Sequence, residues 1–198
     1  MLTPSRLAST ITTSERTPRV ILRHFHSEDA LSHLQGEDEE ISRWLSGGVS
    51  TEDSVRQWIQ SNDENWSNDG PRYAFAIETT NSQLAGMIEI NVDHAHFAGL
   101  IPGDANVSYG AYPSFRRLGL VSSAVLMVED FMRSKGAQRA VIRVEEGNAA
   151  SINLAQRCDY ERVGTVINNA GTGFIMFVKS LTLKVENIRV SGAPSPNH

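Results

Sequence analysis

An apolar stripe in the middle of the chain constrains the fold most. Val121, Ala124, Val125, Val128, Phe131 and Met132 recur at three- and four-residue intervals, the spacing that gathers side chains on one face of an α-helix. Lys135-Gly136 ends the run with a basic residue and a glycine, a common helix stop. Such a helix needs a surface to cover, and strand-like segments flank it: Asn106 to Tyr112 before, Ala140 to Val144 after. Helices that cross over between strands imply a mixed sheet covered on both faces, an α/β layer architecture.

The rest of the chain fits that frame. Residues 18–25 have the branched apolar centre of a strand. Ser27-Glu28-Asp29 offers a helix start before Ala30, Leu31 and Leu34, and a second short helix is predicted from Glu39 to Leu45, stopped by Gly47-Gly48. Thr51-Glu52-Asp53 opens a longer helix with Val55, Trp58 and Ile59 on one side. Beyond Asp69-Gly70-Pro71 the pattern turns to strands. Arg72 to Thr79 alternates Tyr73, Phe75 and Ile77, the period of a half-buried strand. A turn at Thr80-Asn81-Ser82 leads to a strand over 83–93, and residues 94–103 form a loop. After the second crossover comes a helix from Ala149 to Cys158. A hairpin over 161–168 and 173–178 then turns at Asn168-Asn169-Ala170-Gly171.

With 198 residues the chain suits one domain. Residues 1–16 read as a disordered lead-in, 17–180 as the folded domain, and 181–198 as a tail that ends without pattern. A formal charge of −5 argues against nucleic acid as a partner and suits a positively charged one. No apolar run approaches the roughly 18 residues of a membrane span. The single cysteine, Cys158, excludes an internal disulfide and fits a reducing, cytoplasmic setting, where it reads as a small core hydrophobe.

Chemistry is concentrated where the strand 106–112 meets the central helix. A helix N-terminus leaves about four backbone N–H groups unpaired and carries partial positive charge, so an anion such as a diphosphate fits there. Gly119 removes a side chain where backbone must approach phosphate oxygens. Arg116 and Arg117 add fork-shaped donors, and Leu118, Leu120, Val121 and Ser122 complete the loop and first turn. Taken alone, the same residues also read as a basic turn before an amphipathic helix.

A companion segment decides between them. From Asn148 the chain runs Asn-Ala-Ala-Ser-Ile-Asn-Leu-Ala-Gln-Arg-Cys-Asp-Tyr. This resembles the second signature of the GNAT acyltransferases, in which Asn-x-x-Ser opens a helix that closes with Gly and an aromatic residue. Arg116-x-x-Gly119 resembles the first signature, Gln/Arg-x-x-Gly-x-Gly/Ala, and residues 17–23 resemble the opening strand of the RimJ/RimL branch. The resemblance spans about residues 17–180. It implies the single-domain GNAT fold, α/β, with a mixed and mostly antiparallel sheet of about seven strands. Two positions depart from the pattern: Val121 stands where Gly or Ala is preferred, and Asp159 replaces the glycine before Tyr160. Asp tolerates left-handed backbone better than most residues.

The resemblance also implies an activity. Acetyl-CoA would donate an acetyl group to a primary amine by direct attack in a ternary complex, the acceptor being a protein N-terminus or a small molecule. The pyrophosphate would sit on the 116–122 loop, and the pantetheine amides would pair with strand 107–111, at Val107, Tyr109 and Ala111. Asn148 would cap its helix beside the pantetheine arm. In the RimJ/RimL branch the serine of Asn-x-x-Ser protonates the departing thiolate, which points to Ser151; the tyrosine that many relatives use falls at Ala155 and is missing. The other reading is a GNAT-fold module that binds acyl-CoA as a sensor or partner-binding domain without turnover.

A base is also required. Glu89 interrupts the apolar run Met87-Ile88-Glu89-Ile90 and would point away from Ile88 and Ile90; it serves either as that base or as a solvent-facing strand residue. Asp93, His94, His96 and Tyr109 are further candidates near the same strand ends. His24/His26 and His94/His96 each place two imidazoles at i, i+2, but no third ligand follows, so no metal is expected. The acceptor would lie between residues 39–67 and the strand ends, where Trp44, Trp58 and Trp66 accompany eight carboxylates: Glu37, Asp38, Glu39, Glu40, Glu52, Asp53, Asp63 and Glu64. Core anchors and a solvated acidic face are the alternative for these residues. A monomer or homodimer is expected.

Overall fold

A computed structural model describes residues 20–182. Seven strands form one sheet in the order β1-β2-β3-β4-β5-β7-β6. They are β1 (Val20–Arg23), β2 (Arg72–Thr79), β3 (Leu84–Asn91), β4 (Asp104–Ala111), β5 (Arg139–Glu145), β6 (Glu161–Ile167) and β7 (Gly173–Ser180). Only β4 and β5 run parallel; the other neighbours are antiparallel. The helices are α1 (Asp29–Gly36), α2 (Glu39–Ile41), α3 (Glu52–Ser67), α4 (Leu120–Ser134) and α5 (Ala149–Arg157).

Two cores, one on each face of the sheet, follow from the alternation of side chains. Tyr73, Phe75, Ile77, Ile88, Ile90 and Val107 meet Val121, Ala124, Val125, Val128 and Met132 of α4 on one side. Phe25, Ala76 and Met87 meet Ala30 of α1 and Val55 and Ile59 of α3 on the other. The expected half-buried β2 is therefore buried on both faces, from Tyr73 through Ile77. Alternation was a poor guide because Ala74 and Ala76 are small rather than polar, and small side chains let α3 lie close against the strand. Asn62 of α3 fixes that approach by exchanging two hydrogen bonds with the Ala74 backbone.

Local chemistry sets the boundaries. Thr51 and Ser54 form a reciprocal capping box at the start of α3. The predicted helix 39–45 is α-helical only at α2 and continues as a wider π-helical turn over Ser42–Ser46, ended by left-handed Gly47. This turn lays Ile41 and Leu45 over Gly110 of β4. Asp159, in place of the expected glycine, has φ of 62° and makes the left-handed turn into β6. The proposed lead-in 1–16 and the residues of the tail beyond 182 lie outside the described residues.

Candidate active site

The site begins where two parallel strands part. β4 and β5 are paired only from Asp104 to Asn106, opposite Arg139 to Val141. Beyond Asn106 the register with β3 continues through Ala111, while nothing on the β5 side pairs with Val107–Ala111 among the described residues. One edge of β4 is thus open inside the sheet, and an open strand edge offers backbone donors and acceptors to an extended ligand. The three residues expected to line the pantetheine arm, Val107, Tyr109 and Ala111, occupy this stretch.

α4 points its N-terminus toward the end of β4. Its N-cap is Gly119, with φ of 75° and no side-chain cap, and Arg117 is also left-handed at φ 61°. The first helical hydrogen bond runs from the Ser123 N–H to the Gly119 carbonyl. The N–H groups of Leu120, Val121 and Ser122 therefore have no backbone acceptor among the described residues, the arrangement that binds a phosphate. Val121 turns its side chain into the core, 8% exposed, and Leu118 and Arg117 face solvent. Arg116 is placed differently from its neighbour. Both its terminal nitrogens lie 2.7 Å from the Asp38 carboxylate, with Glu40 at 2.9 Å and its Nε donating to the Ala111 carbonyl. It ties the loop before α4 to the start of α2, whose N-cap is the same Asp38.

α5 forms the far wall of the gap. Asn148 caps it, its Oδ1 accepting from the Ser151 N–H at 3.0 Å. The Ser151 hydroxyl is 2.8 Å from the Tyr109 hydroxyl, so a side chain from β4 reaches across to the first turn of α5. Burial pushes the Tyr109 phenol well above its ordinary range, and the contact with Ser151 opposes this only in part. Tyr109 is held protonated. Ala155, where many relatives carry a tyrosine, is fully buried one turn further on. The Tyr109–Ser151 pair was not legible beforehand, because 42 residues separate the partners. A tyrosine absent from α5 and present on the open strand was the one available signal.

Glu89 lies on the opposite face of the sheet. It is half-buried between buried Met87 and Asn91, with Ile88 and Ile90 turned to the α4 side. Burial raises its pKa, while Arg72 and the Trp58 side chain pull it back down. In the sheet register Glu89 sits opposite Ser108, and Asn91 opposite Asn106. The Asn106 amide donates to the Ser108 hydroxyl at 3.0 Å. These four residues make a polar row beside the gap, with Arg72 opposite Asn91 and Arg143 beside Asn106.

Other sequence candidates have local employment. Asp93 accepts from the Ala95 N–H and pairs with His96, in a 3-10 turn rather than on a strand. His24 stacks on Trp66 with ring centroids 3.9 Å apart. No cluster of three potential metal ligands occurs among the described residues. Trp58 packs with Phe25 and His33, and Trp66 with Tyr73, Phe75 and Phe131, so both are core anchors. Trp44 is half-exposed, with Arg43 over its ring at 4.2 Å. Cys158 is buried, and burial raises its thiol pKa.

A sequence model of the acetyltransferase (GNAT) domain matches residues 19–161, most of the chain and all of the site just described. The chain belongs to the GNAT acetyltransferase family. Acetyl-CoA is accordingly the donor of this GNAT enzyme. Curated protein sequences contain no match, but solved structures share the fold. The microcin C7 self-immunity acetyltransferase, in complex with acetyl-CoA and AMP, has a TM-score of 0.67 at 17% identity, with 81% of this chain and 92% of that one covered. Spermidine N-acetyltransferase from Vibrio cholerae, bound to CoA and spermine, has 0.65 at 13% identity, covering 82% and 95%. An acetyltransferase from Salmonella typhimurium that modifies the N-terminal serine of a 50S ribosomal subunit protein has 0.64 at 18% identity, covering 81% and 94%. None of the described helices of the GNAT enzyme is long and apolar enough to cross a membrane.

Proposed function

We propose that this enzyme moves the acetyl group of acetyl-CoA onto a primary amine by direct attack, without an acyl-enzyme. The observation that carries this reading is the open β4 edge between an uncapped helix N-terminus and the Tyr109–Ser151 pair. The pyrophosphate binds the N–H groups of Leu120, Val121 and Ser122, with Gly119 leaving room and Arg117 adding charge. Arg116 shapes this loop through Asp38. The pantetheine amides pair with Val107–Ala111, as a strand would, and bring the thioester to the gap.

The amine approaches from the Glu89 face. Glu89 takes its proton, directly or through a water, and the neutral nitrogen attacks the thioester carbonyl. Collapse of the tetrahedral intermediate breaks the C–S bond and sends a thiolate toward α5. As the C–S bond breaks, Ser151 gives the thiolate a proton and takes one from Tyr109, which burial holds protonated until that moment and which regains its proton from solvent. Asn148 holds the first turn of α5 in place for this step. Base and acid thus stand on opposite faces of the sheet and act through the one gap in it.

Neighbours of similar fold act on amines as different as spermidine and a protein N-terminus, so the acceptor is a matter for this chain's own residues. A crystal structure with CoA tests the donor half: the diphosphate should lie against the α4 N-terminus and the sulfur beside Ser151. CoA bound elsewhere would remove the reading. In solution, CoA at 100 times its dissociation constant should stabilise the fold by about 2.7 kcal/mol.

A further inference from the structure

Arg143 is an arginine withdrawn from water without a counter-charge. Arg23, Arg56, Arg116, Arg133 and Arg139 each pair with a carboxylate, Arg43, Arg117, Arg157 and Arg162 are exposed, and half-buried Arg72 donates to the Ser61 hydroxyl at 3.0 Å and acts on the Glu89 carboxylate. Arg143, on β5, is half-buried, and no carboxylate lies within pairing distance of it among the described residues. Its guanidinium carbon is held 4.6 Å from the Phe97 ring centroid and 4.7 Å from that of Phe174. Both contacts stack the flat group by cation–π attraction and leave its edge available. One edge atom, Nε, makes a long bond of 3.3 Å to Asn106 Oδ1. Its terminal nitrogens have no acceptor among the described residues, and they are not sealed from solvent.

Its position gives this cation a use. Asn106, which Arg143 touches, belongs to the polar row that ends at Glu89. Glu89 stands opposite Ser108, and Arg143 lies two residues beyond Val141, the last residue of β5 paired with β4, so the two face each other across the gap. The terminal nitrogens of Arg143 are open to the gap and can receive an ion partner there. A guanidinium fixed by two rings presents a rigid fork that matches a carboxylate.

We infer that Arg143 is the acceptor-recognition residue of this enzyme, binding a carboxylate on the same molecule whose amine is acetylated by way of Glu89. The acceptor class is then an amino carboxylate, with its amine and its acid a few bonds apart, rather than a polycation. This rests on the amine-acetylating reading above and narrows it.

The test pairs amino carboxylates with counterparts lacking the charge: β-alanine with β-alaninamide, γ-aminobutyrate with propylamine, and Asp-Ala-amide with Asn-Ala-amide. Acetyl transfer is measured for the unmodified enzyme and for Arg143→Gln. A charged hydrogen bond predicts about 10- to 100-fold higher kcat/KM for the carboxylate partner. That preference should vanish in Arg143→Gln, through KM, while the uncharged amines and the KM for acetyl-CoA change less than about twofold. The variant loses both cation–π contacts and the bond to Asn106, so a modest fall in melting temperature is expected and should be the same with and without the carboxylate substrate. Equal use of both members of each pair would overturn the inference and leave the amine reading standing. So would an equal loss on both members in Arg143→Gln, or a changed KM for acetyl-CoA. Acetylation of none of these amines would remove the underlying reading and the inference with it.

Discussion

The hydroxyls of Tyr109 and Ser151 lie 2.8 Å apart across the gap where β4 leaves β5. One sits on the strand that the donor's arm would follow and the other on the first turn of α5. If the pair delivers one proton, Tyr109→Phe and Ser151→Ala each lower kcat by about 100-fold with little change in KM. The double variant is then little worse than the poorer single one, because the two act as a unit. A donor whose thiol leaves more readily should recover most of the loss. Additive losses, or losses confined to KM, would count against the pair.

Glu89 gives a prediction in pH. Its carboxyl is raised above the usual range by burial, so the acidic limb of kcat/KM should lie above about pH 4.3, the ordinary glutamate value. Glu89→Gln should remove that limb along with most of the rate. Stability moves the other way. A raised folded pKa favours the protonated form, so the contribution of Glu89 is full below its unfolded pKa and is lost as pH rises through the folded one. Glu89→Gln should therefore melt at or above the parent at neutral pH, by a margin that narrows on acidification. Thermal scans at several pH values check the sign.

The two arginines of the proposed phosphate loop should separate cleanly. Arg116 bridges to Asp38 with both partners about a third exposed, so a double-mutant cycle with Asp38→Ala should give about 1 kcal/mol of coupling. Asp38→Ala loses a helix cap as well, worth about a further 1 kcal/mol. Arg117→Gly removes charge without straining the left-handed backbone; it should raise the KM for acetyl-CoA and leave the melting temperature unchanged within a degree or so. A larger KM effect at Arg116 than at Arg117 would reverse the assignment.

Gly86 marks the tightest contact behind the open strand. A Cβ there would stand 2.2 Å from the Gly110 carbonyl oxygen and 3.1 Å from the Ala111 Cα, both backbone atoms of β4. Neither can swing aside as a side chain would. Gly86→Ala should cost about 3 kcal/mol and shift β4 as a whole, lowering activity together with stability in denaturant titrations.

The parts of this fold legible in sequence were those written in short-range pattern. The 3.6-residue stripe of α4, the Thr51 cap and the 168–171 turn all stand where spacing put them. Asn148 caps α5 and Asp159 takes the left-handed turn, both as residue type suggested. The half-buried reading of β2 failed because alanine carries no polarity signal. Glu89 showed itself by interrupting an apolar run. Tyr109–Ser151, Arg116–Asp38 and Arg143 between Phe97 and Phe174 were invisible, since each joins segments distant along the chain and made neighbours only by the sheet order.

The central claim is turnover on an amine through the β4–β5 gap, and amine-dependent release of CoA thiol measures it most directly. The account predicts thiol release equal to N-acetylated product by mass spectrometry, strongly reduced in Ser151→Ala and in Glu89→Gln. Tight acetyl-CoA binding with no amine-dependent release across a broad panel, the same in parent and both variants, would contradict it.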